Sequence, residues 1–185
     1  MLRIFKHFKT ITYHKWLVMK GCFKVGLYRQ GIMHDLSKYS PAEFWIGVKY
    51  FQGTKSPNTA ERDEKGYSSA WLHHKGRNKH HYEYWIDFDT KNGKDVLIPA
   101  PMPINYIAEM IMDRIAACKV YQGSNYKDAS ALEYYLKGCD GMPIHSDTKE
   151  TLEFYLRMLA KDGEKRTFQY LKNTLKACKK LKKLQ

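Results

Sequence analysis

The segment Ile104–Cys118 reads Ile-Asn-Tyr-Ile-Ala-Glu-Met-Ile-Met-Asp-Arg-Ile-Ala-Ala-Cys, and its only charged residues are Glu109, Asp113 and Arg114. A run this apolar on all sides predicts a buried helix, around which the rest of the chain must pack. A carboxylate inside such a helix must be paired or metal-bound, because burying it bare costs several kcal/mol or more, roughly. Asp113 therefore meets a cation: Arg114 or Lys38 as an ion pair, or a metal ion, the reading taken here. Glu109, one turn earlier, is placed to orient a ligand imidazole or to join the site itself.

The remaining pattern is nearly all helical. From Leu2 to about Tyr28, Ile11, Val18, Cys22 and Val25 line one face, and His7 and His14 fall on the same stripe. Gly31 predicts a break before Ile32-Met33-His34-Asp35-Leu36. Ser40-Pro41-Ala42-Glu43 has the form of a helix start, with serine as N-cap, proline at the first helical position and glutamate at the third. It points Phe44, Trp45 and Val48 inward. Residues 52–66 predict a loop with a short irregular helix, and Tyr67–Lys75 and Lys79–Ile86 two helical pieces. Lys91-Asn92-Gly93 predicts a hairpin turn, ended by prolines at 99, 101 and 103. Helices are expected again over Lys127–Lys137, from Asp147 to about Ala160, and beyond Gly163. The expected fold is a single all-α domain over residues 1–185, a helical bundle with a small hairpin or extended flap.

Six of the eight histidines, with two aspartates, read as parts of one metal site. His14 alone is weak evidence; His7, on the same stripe, reads as an ordinary core histidine. His34-Asp35 is sharper. Adjacent helical residues point about 100° apart, so both reach one ion only if the backbone sits close beside it. Asp35 then either bridges two ions or binds one and orients water; capping the following turn is the alternative. Lys38, one turn on, is placed to meet a phosphate oxygen, or faces solvent. The doubled cluster His73-His74 and His80-His81 supplies more imidazoles. In a continuous helix His74 and His81 share a face with Asn78 between them, while His73 pairs with His80, so His74 and His81 are the preferred ligands. His73, Asn78 and His80 are left to substrate or supporting roles. Lys75, Arg77 and Lys79 offer a positive rim, or an ordinary solvated face.

No cysteine accompanies these histidines, which disfavours a structural zinc knuckle. Mixed imidazole and carboxylate ligands suit one or two divalent transition ions (Mn, Fe, Zn, Ni or Co) better than magnesium. Neither a phosphate-binding glycine loop nor a serine-nucleophile elbow occurs. The four cysteines show no CxxC pairing, Cys22, Cys118 and Cys178 read as buried thiols in a reducing compartment, and no apolar stretch is long enough for a membrane span. A cytoplasmic chain is the expectation. The formal charge of +13 favours anionic partners. Residues 165–185 hold eight Lys/Arg and no acid, yet Phe168, Leu171, Leu175, Cys178 and Leu181 recur at helical spacing. This predicts a packed amphipathic helix with a basic outer face, and secondarily an element that binds nucleic acid.

The order His14, His34-Asp35, Asp113 resembles the HD-domain superfamily of metal-dependent phosphohydrolases, and His34-Asp35-Leu36-Ser37-Lys38 resembles its His-Asp-x-x-Lys segment. The wider set, with Glu43-Phe44, His73-His74, Asn78, His80-His81, Glu83, Trp85 and Glu109–Asp113, is similar to the uncharacterised family DUF5662. The likeness covers about residues 10–120, the expected metal-site core, leaving 121–185 as C-terminal accessory helices. The superfamily resemblance implies that His14, His34, Asp35 and Asp113 hold one metal, and the extra histidines look like those of two-metal members. The implied activity is hydrolysis of a nucleotide or other small phosphorylated substrate, with Asp35 and Lys38 as catalytic residues. Two alternatives are an iron-dependent oxygenase-like enzyme and a non-enzymatic nucleic-acid-binding protein.

Overall fold

The computed structural model describes residues 1–89 and 96–182. Among them are eight α-helices: α1 (Leu2–Val25), α2 (Tyr28–Met33), α3 (Pro41–Tyr50), α4 (Pro57–Lys65), α5 (Ser69–Lys75), α6 (Ile104–Gln122), α7 (Ser130–Leu136) and α8 (Ser146–Leu181). A two-stranded antiparallel hairpin, β1 (Ile86–Asp89) and β2 (Val96–Pro99), separates α5 from α6, with Ile86 opposite Pro99 and Asp89 opposite Val96. The expected turn at Lys91-Asn92-Gly93 lies outside the described residues. No helix among the described residues is long and apolar enough to cross a membrane.

The apolar run does become the central helix. In α6, Ile107, Ala108, Met110, Ile111, Met112, Ile115 and Ala116 are all buried. α1 packs along it through Val18, Cys22 and Val25, and α8 through Leu152, Leu156, Leu159, Leu171 and Leu175, in one continuous core. Burying leucine-sized side chains stabilises by about 1.5–3 kcal/mol each, so this three-helix contact is the main scaffold. α8 carries a non-helical Gly163 (φ 77°, ψ 171°), the break expected there. Past it, Phe168, Leu171 and Leu175 face inward while Lys176, Lys179, Lys180 and Lys182 are exposed, which is the packed helix with a basic outer face.

Several local expectations are corrected. α1 stops at Gly26, whose left-handed φ of 85° lets its N–H return to the helix carbonyls. Gly31 is not a break but a buried residue within α2. A Cβ there would come within 2.9 Å of Cys22 Cβ, so glycine permits α2 to lie against α1. Ser40-Pro41 does open α3, but Ser40 makes no side-chain cap and Glu43 turns into the interior instead. Trp45 is exposed rather than inward-facing. Residues 57–65 form a regular helix, not an irregular one. Residues 79–86 are not α-helical: the chain passes through a 3-10 turn at Tyr82–Trp85 into β1. The two histidine pairs therefore do not share a continuous helix.

Candidate metal centre

His14 comes from the middle of the buried stripe of α1. His34 and Asp35 sit where α2 ends. His34 is extended (φ −51°, ψ 128°) and Asp35 is left-handed (φ 53°), the only non-glycine residue of positive φ among those described. Such a conformation at a non-glycine residue costs about 1–3 kcal/mol and is a mark of functional sites. Here it reverses the chain between the two side chains, so both point inward, as they would not on a helix. Asp35 makes no cap to the following turn, which removes the capping alternative. Lys15 holds the reversal by donating to the carbonyls of Ile32 (2.5 Å) and His34 (2.7 Å).

α5 supplies His73 and His74. Its start is fixed by Ser68, whose hydroxyl accepts from Trp71 N–H at 3.0 Å, and by fully buried Glu61, which accepts from Ser68 and Ser69 hydroxyls at 2.7 Å each. Asn78 donates to the carbonyl of His74 (2.8 Å) and to Ser37 (2.9 Å), folding the loop back so that His80 and His81 return beside His74.

Two groups of donor atoms result. His14, His34, Asp35 and Asp113 form one, and Asp35, His74, His80 and His81 the other, each with its atoms within 4.8 Å of one another. In the first, Asp113 Oδ1 lies 2.9 Å from His14 Nε2 and 3.6 Å from His34 Nε2, and Asp35 Oδ2 lies 3.4 Å from His34 Nε2 and 3.8 Å from His14 Nε2. In the second, Asp35 Oδ1 lies 3.3 Å from His74 Nε2 and 3.4 Å from His80 Nε2, and His74 Nε2 is 2.9 Å from His81 Nε2. Asp35 thus offers one oxygen to each group. Donors about 2.1 Å from a shared ion stand about 3.0–3.4 Å apart at octahedral to tetrahedral angles. Most of these separations match that spacing.

The buried atoms His14 Nε2, His34 Nε2, His80 Nε2 and Asp35 Oδ1 have no partner at hydrogen-bonding geometry among the described residues, and Asp35 Oδ2 is met by the Lys38 ammonium at 2.6 Å. Orphaned buried polar atoms are rare, and four converging on one place fit a cation. On His34 and His80 the opposite ring nitrogens are already engaged. Glu109 Oε1 lies 2.9 Å from His34 Nδ1 and 3.2 Å from His80 Nδ1, and Glu43 reaches His73 Nδ1 (2.6 Å) and His74 Nδ1 (2.7 Å). A carboxylate on Nδ1–H fixes the tautomer and turns the Nε2 lone pair outward, the arrangement that supports metal-binding imidazoles. A third potential cluster, His34, His80 and Glu109, is explained by this supporting role rather than by another ion. Gln30 extends it by donating to Glu109 Oε2 at 2.7 Å.

The electrostatics agree. Burial opposes charge on Asp35, but His34, Lys38 and His74 hold its pKa well below the usual carboxylate range. Burial likewise opposes charge on Asp113, which His14 and His34 keep ionised. Glu109, against its burial, is drawn down to about 2 by hydrogen bonds from His34 and His80. Burial disfavours an imidazolium at His34, but the Asp35 charge, with the nearby Asp113 carboxylate and the Glu109 hydrogen bond, outweighs it and raises the pKa. Burial, then His80 and His74, push His81 well down, so it is neutral. Protons shared over this cluster balance three carboxylates, a balance that cations provide equally well.

His14, His34, Asp35, Asp113, His74 and His81 are therefore all brought together. His80, expected as a supporting residue, stands among the donors, whereas the His73 ring meets Glu43 and joins neither group. Lys38 pairs with Asp35 Oδ2 at 2.6 Å, while Arg114 lies over the Tyr135 ring rather than beside Asp113. His7 is a core histidine packed against Phe44 and Phe51. Lys75 and Arg77 do not line the site. The cavity beside the donors, about 760 Å³, is lined instead by Lys38, Lys55, Arg62 and Arg114, with Trp71 and Tyr121. Glu43, Gln30 and the distant Arg62 carried no sequence signal for these roles, except that a glutamate two residues past a helix-initiating proline is ambiguous between cap and interior.

No curated protein and no solved structure matches this chain. A family model described as "Family of unknown function (DUF5662)" matches residues 3–158. With most of its length so matched, including every donor of both groups, the chain belongs to the DUF5662 family.

Proposed function

We propose that this protein is a metal-dependent phosphohydrolase acting on a nucleotide or other small phosphoester, built on HD-domain-like principles. One observation carries the reading: Asp35 divides its two oxygens between two groups of imidazole and carboxylate donors, three of whose imidazole nitrogens are buried without a partner, beside a cationic cavity. His14, His34, Asp35 and Asp113 would hold one ion. Asp35, His74, His80 and His81 would hold the second.

Divalent ions, if held there, would supply positive charge opposite a phosphoryl group and would make water a competent nucleophile near neutral pH. The chain supplies the rest. Lys38, already paired with Asp35 at the cavity wall, is placed to meet a phosphoryl oxygen and to neutralise charge as it develops. Arg62 and Arg114 favour an anionic substrate in the remainder of the cavity. Glu109 and Glu43 keep four imidazoles oriented, so little reorganisation is needed when substrate arrives.

The test is elemental analysis of protein purified without added metal, followed by a phosphoester panel assayed with the metal found. Stoichiometric metal and hydrolysis lost in D35A support the reading. Protein that binds no divalent transition ion, or whose hydrolysis survives D35A unchanged, overturns it.

A further inference from the structure

The side of α1 that turns away from the core mixes large apolar side chains with cations and carries no acid. His7, Ile11, His14, Val18, Cys22 and Val25 form the buried stripe. At about 100° per residue, Leu2, Phe5, Tyr13, Trp16 and Phe23 fall near the opposite side. All five are exposed among the described residues, Leu2 at 69% and Phe5 at 66%. Arg3, Lys6, Lys9, Lys20 and Lys24 are exposed on the same helix, and no Asp or Glu occurs anywhere in Leu2–Val25. Tyr13 stacks on Trp16 with centroids 5.9 Å apart, and Lys20 lies 4.2 Å above the Trp16 ring. Phe23 meets exposed Tyr28 edge-on at 5.3 Å, carrying the aromatic strip onto α2.

We propose that this outer face of α1 is a docking surface for an anionic lipid bilayer. A surface helix held by its inner stripe needs no apolar residues outside, so leucine, phenylalanine and tryptophan there mark contact with something apolar. The unbroken set of cations requires that partner to be negatively charged as well. A bilayer bearing anionic headgroups meets both demands: Leu2 and Phe5 enter the acyl boundary, Trp16 and Tyr13 sit at headgroup level, and the lysines reach phosphates. A second copy of the face would set like charges against each other. A convex helix about 36 Å long offers no groove in which bases would be clamped. The surface is distinct from the metal centre, so the proposal stands independently of the hydrolase reading.

The experiment is co-sedimentation of the full chain, as purified, with vesicles of equal parts phosphatidylcholine and phosphatidylglycerol, and with phosphatidylcholine alone. Binding is expected to the mixed vesicles only, weakening as salt rises. F5E/W16E and, separately, K9E/K20E should each lower partitioning at least about tenfold, with metal content and circular dichroism unchanged. The proposal is overturned if wild-type protein fails to bind mixed vesicles at low salt, or if both folded variants bind as well as wild type. It is equally overturned if vesicle binding is absent and F5E/W16E instead splits a dimer in solution or abolishes binding of single-stranded DNA.

Discussion

Glu109 Oε1 stands 2.9 Å from Nδ1 of His34, inside the apolar helix that the sequence marks as buried, and the same oxygen is 3.2 Å from Nδ1 of His80. One carboxylate thereby sets the tautomer of an imidazole in each donor group. E109A is expected to weaken metal binding about 10–100-fold, and E109Q, whose amide oxygen still accepts, much less. Competition against a chromophoric chelator measures both. Equal affinity in E109A and wild type would show that the two rings need no such orientation.

The two donor groups share only Asp35, so occupancy should separate by mutation. D113A is expected to lose one ion per chain, H81A the other, and D35A both. Inductively coupled plasma analysis of each variant reads this directly. Loss of all metal in either D113A or H81A alone would mean one site, not two.

Metal removal should also destabilise the fold, because ligands from α1, the α2 end, α5 and α6 meet only at this place. Ion at 100 times its dissociation constant stabilises by about 2.7 kcal/mol. A thermal melt with and without chelator therefore should show a drop of several degrees, and the drop should vanish in D35A.

His7 gives a pH dependence of its own. Burial, then the Lys38 charge, lower its pKa from 6.5 to about 4, so the folded state keeps it neutral. Between those values the unfolded chain binds more protons than the folded one. Stability is therefore full above about 6.5 and declines as pH falls toward 4, by at most about 3 kcal/mol. Urea denaturation at pH 7 and pH 5, with chelator present throughout, should show a smaller difference for H7L than for wild type. An unchanged difference would place the acid sensitivity elsewhere.

Gly31 tests the packing of α2 on α1. Alanine there favours helix formation, yet its Cβ would lie 2.9 Å from Cys22 Cβ and 3.2 Å from the Met19 carbonyl oxygen. G31A is expected to lose about 1–3 kcal/mol in chemical denaturation. Neutral or higher stability would mean that the two helices separate freely.

What the sequence determined is the set of groups that had to be solved together. The apolar surroundings of Asp113 and Glu109, the stripe bearing His14, and the unusual His34-Asp35 pair were legible because burial of a charge is costly wherever the fold puts it. The helical periodicities and the Gly163 break were legible because they are local. What only the tertiary structure decided is how those groups meet. The left-handed Asp35, the loop that brings His80 and His81 to His74, and Glu43 turning inward instead of capping α3 each depend on contacts distant in the chain. A local pattern carries no record of them: a four-imidazole cluster drawn on one helix and one folded back through a loop share the same spacing. Only the packing of α1 against α6, and of α5 against α3 and α4, distinguishes the two.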